Sequence, residues 1–312
     1  MKKIAAMGGG NAMPKAVLQG LKHKEVEISA ICAMLDTGGS SGRLREDYGI
    51  LAPGDIRRAF IALANTSPVV EDLFNYRFEA GELKGHNFAN LFISALELST
   101  NNREKVIEEM SRVLNISHEV LPVTLQDAEL CAELSDGSIV RGEANIDVPQ
   151  HNMKIKKVFL DPLPHAYPKA IKAIEGSDII VIGPGDIYSS LAQVLLTEGI
   201  KEAVKKSKGK VLYICNLMNK NGETNDFKVE DFTEKIEEFL KTEVDYVLYN
   251  NKEIEGDRIR KYEKKHPELV GVVSSNCNLD KKKFVGSDLV TSSGEVVHHP
   301  QKVADLILTL CK

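Results

Sequence analysis

The 312-residue chain predicts a three-layer α/β fold, with a mostly parallel sheet covered by helices on both faces and a small antiparallel β insert. Three observations carry this. Short apolar runs end in glycine turns that lead straight into segments of helical apolar spacing. Strand and helix signals alternate again from Pro168 onward, as a parallel sheet requires. Between them, at about residues 116–162, the texture changes to short alternating segments, the mark of an antiparallel insert within a single 1–312 domain.

Residues 3–7 form an apolar strand that ends in Gly8-Gly9-Gly10, and residues 12–21 read as the helix after it. "EISAICAM" is a second strand, followed by a second glycine-rich loop, "LDTGGSSGRLRED". Pro53-Gly54-Asp55 opens a helix through Ala64, with Asp55 suited to its first turn. Residues 69–78, 87–98 and 103–114 read as further helices. "HEVLPVT", "AELCAEL", "SIVRGEANI" and "KIKKVFLD" are the strands of the insert, with Ser135-Asp136-Gly137 as a hairpin turn. A helix from Pro168, the strand "DIIVIGPG", a helix to Leu196, the strand "KVLYICN", a helix over 229–240 and the strand "DYVLYN" resume the alternation. A helix, short strands and a final helix over 301–310 close the chain.

Composition excludes several function classes. Hydrophobic residues are 43% and charged residues 27%, as in ordinary globular proteins, which disfavours disorder and fibres. Forty-five acids against 40 bases give a net charge of −5, so no broad basic footprint for nucleic acid is expected. No run approaches the roughly 18 apolar residues of a membrane span. Cys32, Cys131, Cys215, Cys277 and Cys311 lack CxxC spacing and sit mostly in apolar runs, so buried thiols and a cytoplasmic location are expected. Cys32 and Cys215 read as core rather than as nucleophiles.

In an open parallel sheet, ligands bind beyond the carboxyl ends of the strands. The candidate site residues are therefore those that follow each strand. The first loop supplies Gly9, Gly10 and Asn11, and the second Asp36, Gly38, Gly39, Ser40, Ser41, Arg43 and Arg45. Later loops supply Gly183, Gly185, Asp186 and Ser189, then Asn216 and Thr224. Glycine turns at helix starts bring backbone N–H groups close to a phosphate. The arginines suit bidentate recognition of phosphate or carboxylate, with Asp55 or Glu46 as partners that could buttress one of them. Asp36 has three roles open to it: holding a ribose hydroxyl, holding magnesium as a weak metal candidate, or capping its own glycine turn. His86 and Asn90 lie four residues apart near a helix start, where His86 is either a proton-transfer or anion-binding group or a cap.

Taken in order, "GGG", "DTGGSSGRLR", "PGDIRRAFIALA", "NYRF-x-x-G-x-L-x-GH-x-x-x-N", "IGPGDIYSSL" and "NLM-x-x-x-GET" resemble the CofD-like family over nearly the whole chain. "GGSSGRLR", "PGDIR" and "GET" point to its YvcK-type branch, the gluconeogenesis factors, more than to the 2-phospho-L-lactate transferases. The resemblance implies a Rossmann-like fold, a homodimer and binding of UDP-sugars in a regulatory role linking carbon metabolism to cell shape and wall synthesis. The transferase branch implies magnesium-dependent transfer of a phospholactyl-type group to a deazaflavin. A third alternative is an NADP-dependent oxidoreductase, in which "GGSSGRLR" clasps a 2′-phosphate.

Three positions depart from the family's pattern. Gly10-Asn11-Ala12 replaces the usual Gly-Thr-Gly, Thr37 replaces the second acid of an Asp-Asp pair, and His298-His299 replaces Arg-His. The lost acid removes a hard ligand for a divalent ion, so no cofactor is expected to be required and magnesium remains only possible.

Overall fold

The structure, a computed structural model, describes residues 1–149 and 153–311. Its strands along the chain are β1 Lys2–Gly8, β2 Val26–Cys32, β3 Glu119–Pro122, β4 Glu129–Leu134, β5 Ile139–Arg141 and β6 Ile155–Asp161. They continue as β7 Ile179–Ile182, β8 Lys210–Ile214, β9 Met218–Lys220, β10 Tyr246–Asn250, β11 Leu269–Val272 and β12 Phe284–Ser287. Seven of them form one sheet in the order β12-β10-β8-β7-β1-β2-β3, and every pairing in it is parallel.

The central strands are buried on both faces, which is why they read as unbroken apolar runs rather than alternating ones. Successive residues of β1 serve opposite layers. Ala5 and Met7 pack with Ile180 and Ile182 and with Ala170, Phe232 and Ile236 of the helices Pro168–Glu175 and Val229–Leu240. Ile4 and Ala6 pack with Ile179 and Val181 on the other face, under the helices Gly54–Leu63, Phe88–Thr100, Arg103–Val113 and Pro300–Leu310. The three-layer prediction therefore holds.

The antiparallel sheet has the order β5-β4-β6, and Gly137 (φ 86°) makes the turn between β4 and β5, its N–H donating to the Leu134 carbonyl at 3.0 Å. "HEVLPVT", read as part of this insert, lies elsewhere. β3 pairs in parallel with β2 as an edge of the main sheet, because Val120 and Leu121 complete the core there.

"GGSSGRLRED", read as loop, is also corrected, since Gly39–Tyr48 is a helix. The Asp36 carboxylate accepts the Gly38 N–H at 2.7 Å to set its entry. Gly49 in the left-handed region (φ 65°) ends it. Gly42 is needed within it, because a Cβ there would lie 2.0 Å from the Thr37 carbonyl oxygen. The helix begun at residue 69 stops at Asn75, after which Tyr76 is extended.

Two helices leave the centre of the sheet through wide π turns. Pro14–Leu18 follows β1 and continues as Gln19–Leu21, and Ile187–Leu191 follows β7 and continues as Ala192–Leu195. Such turns recur at functional sites. Among the described residues, no helix is long and apolar enough to cross a membrane.

Candidate functional site

Strand order reverses between β1 and β7. From β1 the chain progresses outward to β2 and β3, then returns to build β7, β8, β10 and β12 on the other side. A crevice is expected beyond the carboxyl ends of the two strands that flank this reversal. A cleft of about 620 Å³ lies there, lined on one wall by Gly9, Gly10 and Asn11 and on the other by Pro184, Gly185 and Asp186.

The floor of the cleft is held by Asp55. The helix Gly54–Leu63 places this buried carboxylate under the first glycine turn, where it accepts the Gly10 N–H at 3.0 Å and pairs with Arg58. Two glycines make room for the arrangement. A Cβ on Gly9 would stand 2.5 Å from Asp55 Oδ2, and one on Gly54 would meet Ser41 Oγ at 2.5 Å and Asp36 Oδ2 at 2.6 Å. "GGG" and "PGD" are thus two halves of one packing arrangement. Burial raises the Asp55 pKa and the nearby Asp36 adds to the rise, while Arg58 and the Gly10 N–H oppose it.

Of the residues expected from sequence, Gly9, Gly10, Asn11, Asp36, Gly38, Gly39, Ser40, Ser41, Asp55, Asn90, Gly185, Asp186 and Asn216 converge on this cleft. Asn216 Oδ1 accepts the Gly185 N–H at 3.2 Å and so joins the loop after β8 to the loop after β7. Asn90 donates to Ser41 Oγ at 3.2 Å.

Six others do not line it. Arg45 donates to the Ala128 carbonyl at 2.6 Å and to Asp127 at 2.7 Å, so its partner is neither Asp55 nor Glu46. Arg43 reaches the Lys84 carbonyl at 3.2 Å. Neither guanidinium lines the cleft. His86 stands behind Ser40, its Nδ1 3.1 Å from Ser40 Oγ, and Asn87 rather than His86 caps the following helix. Gly183 (φ 72°) turns the chain out of β7. Ser189 Oγ donates to Asp147 at 3.0 Å, and Thr224 Oγ1 accepts the Lys220 N–H at 2.9 Å.

Sequence reasoning missed a second tier of charge. The insert returns through the short helix Glu143–Asp147, which carries Glu143 and Asp147 to the cleft. Lys220, at the end of β9, is buried beneath them and pairs with Asp147, with Asp186 at 3.1 Å and with Glu223 at 3.0 Å. Burial alone would lower the Lys220 pKa, but these three carboxylates raise it overall, so the ammonium persists. Burial pushes Glu223 up to about 8 against the pull of Lys220. Glu143 is pushed up to about 9 by burial and then by Asp36, Asp147 and Asp55, so it is protonated at neutral pH. The "GET" motif, read through Thr224 alone, carried the signal for this tier in its glutamate.

Arg57 and Arg77, inside the motifs "PGDIRR" and "NYRF", also line the cleft and were not singled out. His298 lines its far wall. Burial holds its pKa down to about 4, with a hydrogen bond to the Cys215 backbone opposing, so the ring is neutral.

The donor set suits magnesium poorly. Asp55 is committed to Gly10 and Arg58, and Asp36 Oδ1 to Gly38. The Thr37 hydroxyl accepts the Ala144 N–H at 3.0 Å, so Thr37 tethers the insert helix. Among the described residues, no group of three or more His, Cys, Asp or Glu side chains is placed to hold a metal ion.

These loops fall inside one family match. Residues 4–290 match the model described as 2-phospho-L-lactate transferase CofD. The Bacillus subtilis protein named gluconeogenesis factor is 38% identical over 99% of this chain and 98% of its own length. The Listeria innocua gluconeogenesis factor is 38% identical over 99% and 95%. The crystal structure of a UPF0052 family protein from Bacillus halodurans superposes with a TM-score of 0.91 at 36% identity, covering 99% of this chain and all of that one. The family match over residues 4–290 and the relatives matched over nearly their whole length lead to one conclusion: the chain belongs to the CofD family, in the branch of the gluconeogenesis factors.

Proposed function

We propose that this protein is a regulatory binder of a nucleotide-diphosphate sugar of the UDP-sugar class, linking carbon metabolism to cell shape and wall synthesis, and that it needs no metal to bind. One observation carries the reading. Two glycine loops, after β1 and after β7, face each other across the switch-point cleft, each at the start of a helix with no side-chain cap. The positive ends of these two helices favour a diphosphate between them. The neutral His298 on the far wall suits an uncharged sugar or base better than a further phosphate.

The competing reading is a transferase, and protonated Glu143 among Asp36, Asp55 and Asp147 favours it, since a carboxyl kept protonated in a cleft is a candidate proton donor. Calorimetry decides between them. UDP-N-acetylglucosamine is expected to bind with an affinity that changes less than about tenfold, roughly 1.4 kcal/mol, when EDTA replaces magnesium. No phospholactyl transfer to a deazaflavin should be detected. Strictly magnesium-dependent binding together with turnover would establish the transferase instead.

A further inference from the structure

One wall of the cleft holds three guanidinium groups, and among the described residues only Arg58 is ion-paired. Arg58 pairs with Asp55. Arg57, on the next position of the same helix, is 8% exposed, its Nε is buried without a partner, and its side chain makes no hydrogen bond or ion pair among the described residues. Arg77 donates to the Gly85 carbonyl at 2.6 Å and forms no ion pair among the described residues. Both line the cleft beside the hydroxyls of Ser40 and Ser41.

Burial, then repulsion from Arg58 and Arg77, holds the Arg57 pKa down to about 10, with Asp55 and Asp36 opposing. It is still charged at neutral pH. A buried guanidinium with no carboxylate in hydrogen-bond or ion-pair contact is unfavourable. Such a group persists where a ligand supplies the opposite charge, and guanidinium pairs with hydroxyls beside them are the chemistry that recognises phosphate.

We propose that Arg57 and Arg77, with Ser40 and Ser41, form a second anion subsite in the cleft, which takes the phosphate monoester of a small metabolite. Two uncompensated cations match the charge of about −1.5 to −2 on a monoester at neutral pH better than the single charge of a carboxylate. The subsite lies on the wall built by Gly54–Leu63 and the segment before Phe88–Thr100, whereas the proposed diphosphate site lies between the loops after β1 and β7. The need for an anion follows from Arg57 and Arg77 alone. That the anion is a second one rests on the nucleotide reading. A protein with both sites would sense a nucleotide sugar and a phosphorylated intermediate together.

The test is thermal denaturation with inorganic phosphate and with glycerol phosphate, each against sodium chloride of equal ionic strength so that general screening is matched. Both phosphates are expected to raise the melting temperature beyond chloride, and to do so again with UDP-N-acetylglucosamine saturating. Arg57→Met should melt higher than the parent protein without phosphate and lose the phosphate response. Arg77→Gln, an exposed change that keeps the fold, should weaken phosphate at least about tenfold, as loss of a charged hydrogen bond does, and leave UDP-sugar affinity within about threefold. No response beyond chloride, or an unchanged response in Arg77→Gln, overturns the subsite. Phosphate that competes with the UDP-sugar, with both affinities lost in Arg77→Gln, also overturns it, by assigning the guanidiniums to the nucleotide's own phosphates. A phosphate response with no UDP-sugar binding supports the subsite and defeats the nucleotide reading.

Discussion

Glu143 shows how a single side chain reports the electrostatics of this cleft. Among the described residues it forms no ion pair, and burial, Asp36, Asp147 and Asp55 together outweigh Lys220 in holding its proton. The folded protein therefore binds that proton more tightly than the unfolded chain. The resulting stability is fully present below the ordinary pKa near 4.5 and is lost as pH rises toward about 9. Glu143→Gln copies the protonated form at every pH. Its melting temperature should match the parent protein at about pH 5 and exceed it at about pH 9. Parallel melting profiles for the two proteins would show that the carboxyl is ionised throughout. Nothing in the local sequence "RGEANI" announces this, because the crowding acids come from loops more than eighty residues away and from the next turn of the same short helix.

At the scale of elements, the parts legible in sequence were those whose local pattern agrees with their final surroundings. Ile179–Ile182 and Lys210–Ile214 sit between two covered faces and read as unbroken apolar runs. Gly39–Tyr48 was not legible, since two serines and three glycines in "TGGSSG" have weak helix propensity. It forms because Gly42 packs against the Thr37 carbonyl and Arg45 ties it to Ala128 and Asp127. β3 was assigned to the wrong sheet because alternation shows that one face is buried but not against what. β9, three residues long, carries Lys220 and has too short a run to register.

The contact between the first and last helices is set by Gly20, where a Cβ would lie 2.2 Å from the Pro300 carbonyl oxygen and 3.1 Å from Ala304 Cβ. The nearest neighbour there is backbone and cannot rotate away. Gly20→Ala should therefore cost about 1–3 kcal/mol in urea unfolding, in the usual range for overpacking. A stability equal to the parent protein would mean that the two helices are not packed as closely as described.

Taken whole, the molecule gathers its chemistry at one place because strand order reverses between β1 and β7, and each strand end near that reversal carries a short hydrogen-bonding loop. Thirteen of the nineteen residues expected at a site meet there, since chain order and the parallel rule suffice to locate strand ends. The six that fall outside lie in segments whose direction depends on tertiary packing. Arg43 and Arg45 face away along a helix that was read as a loop. Arg57 and Arg77, which do face the cleft, sit in helix and turn positions whose orientation only the assembled sheet decides.

The central claim is that a nucleotide diphosphate lies between the loops after β1 and β7, and paired glycine variants test it most directly. Gly9→Ala drives a methyl group against Asp55 Oδ2, and Gly185→Val crowds Leu191, whose Cδ2 is already 3.3 Å from a Cβ at that position. Titration of each variant with UDP-N-acetylglucosamine by calorimetry, with circular dichroism as the check on folding, should show at least about a tenfold loss of affinity in both, roughly 1.4 kcal/mol. Parent-level affinity in both folded variants would contradict the account and place the ligand elsewhere on the molecule.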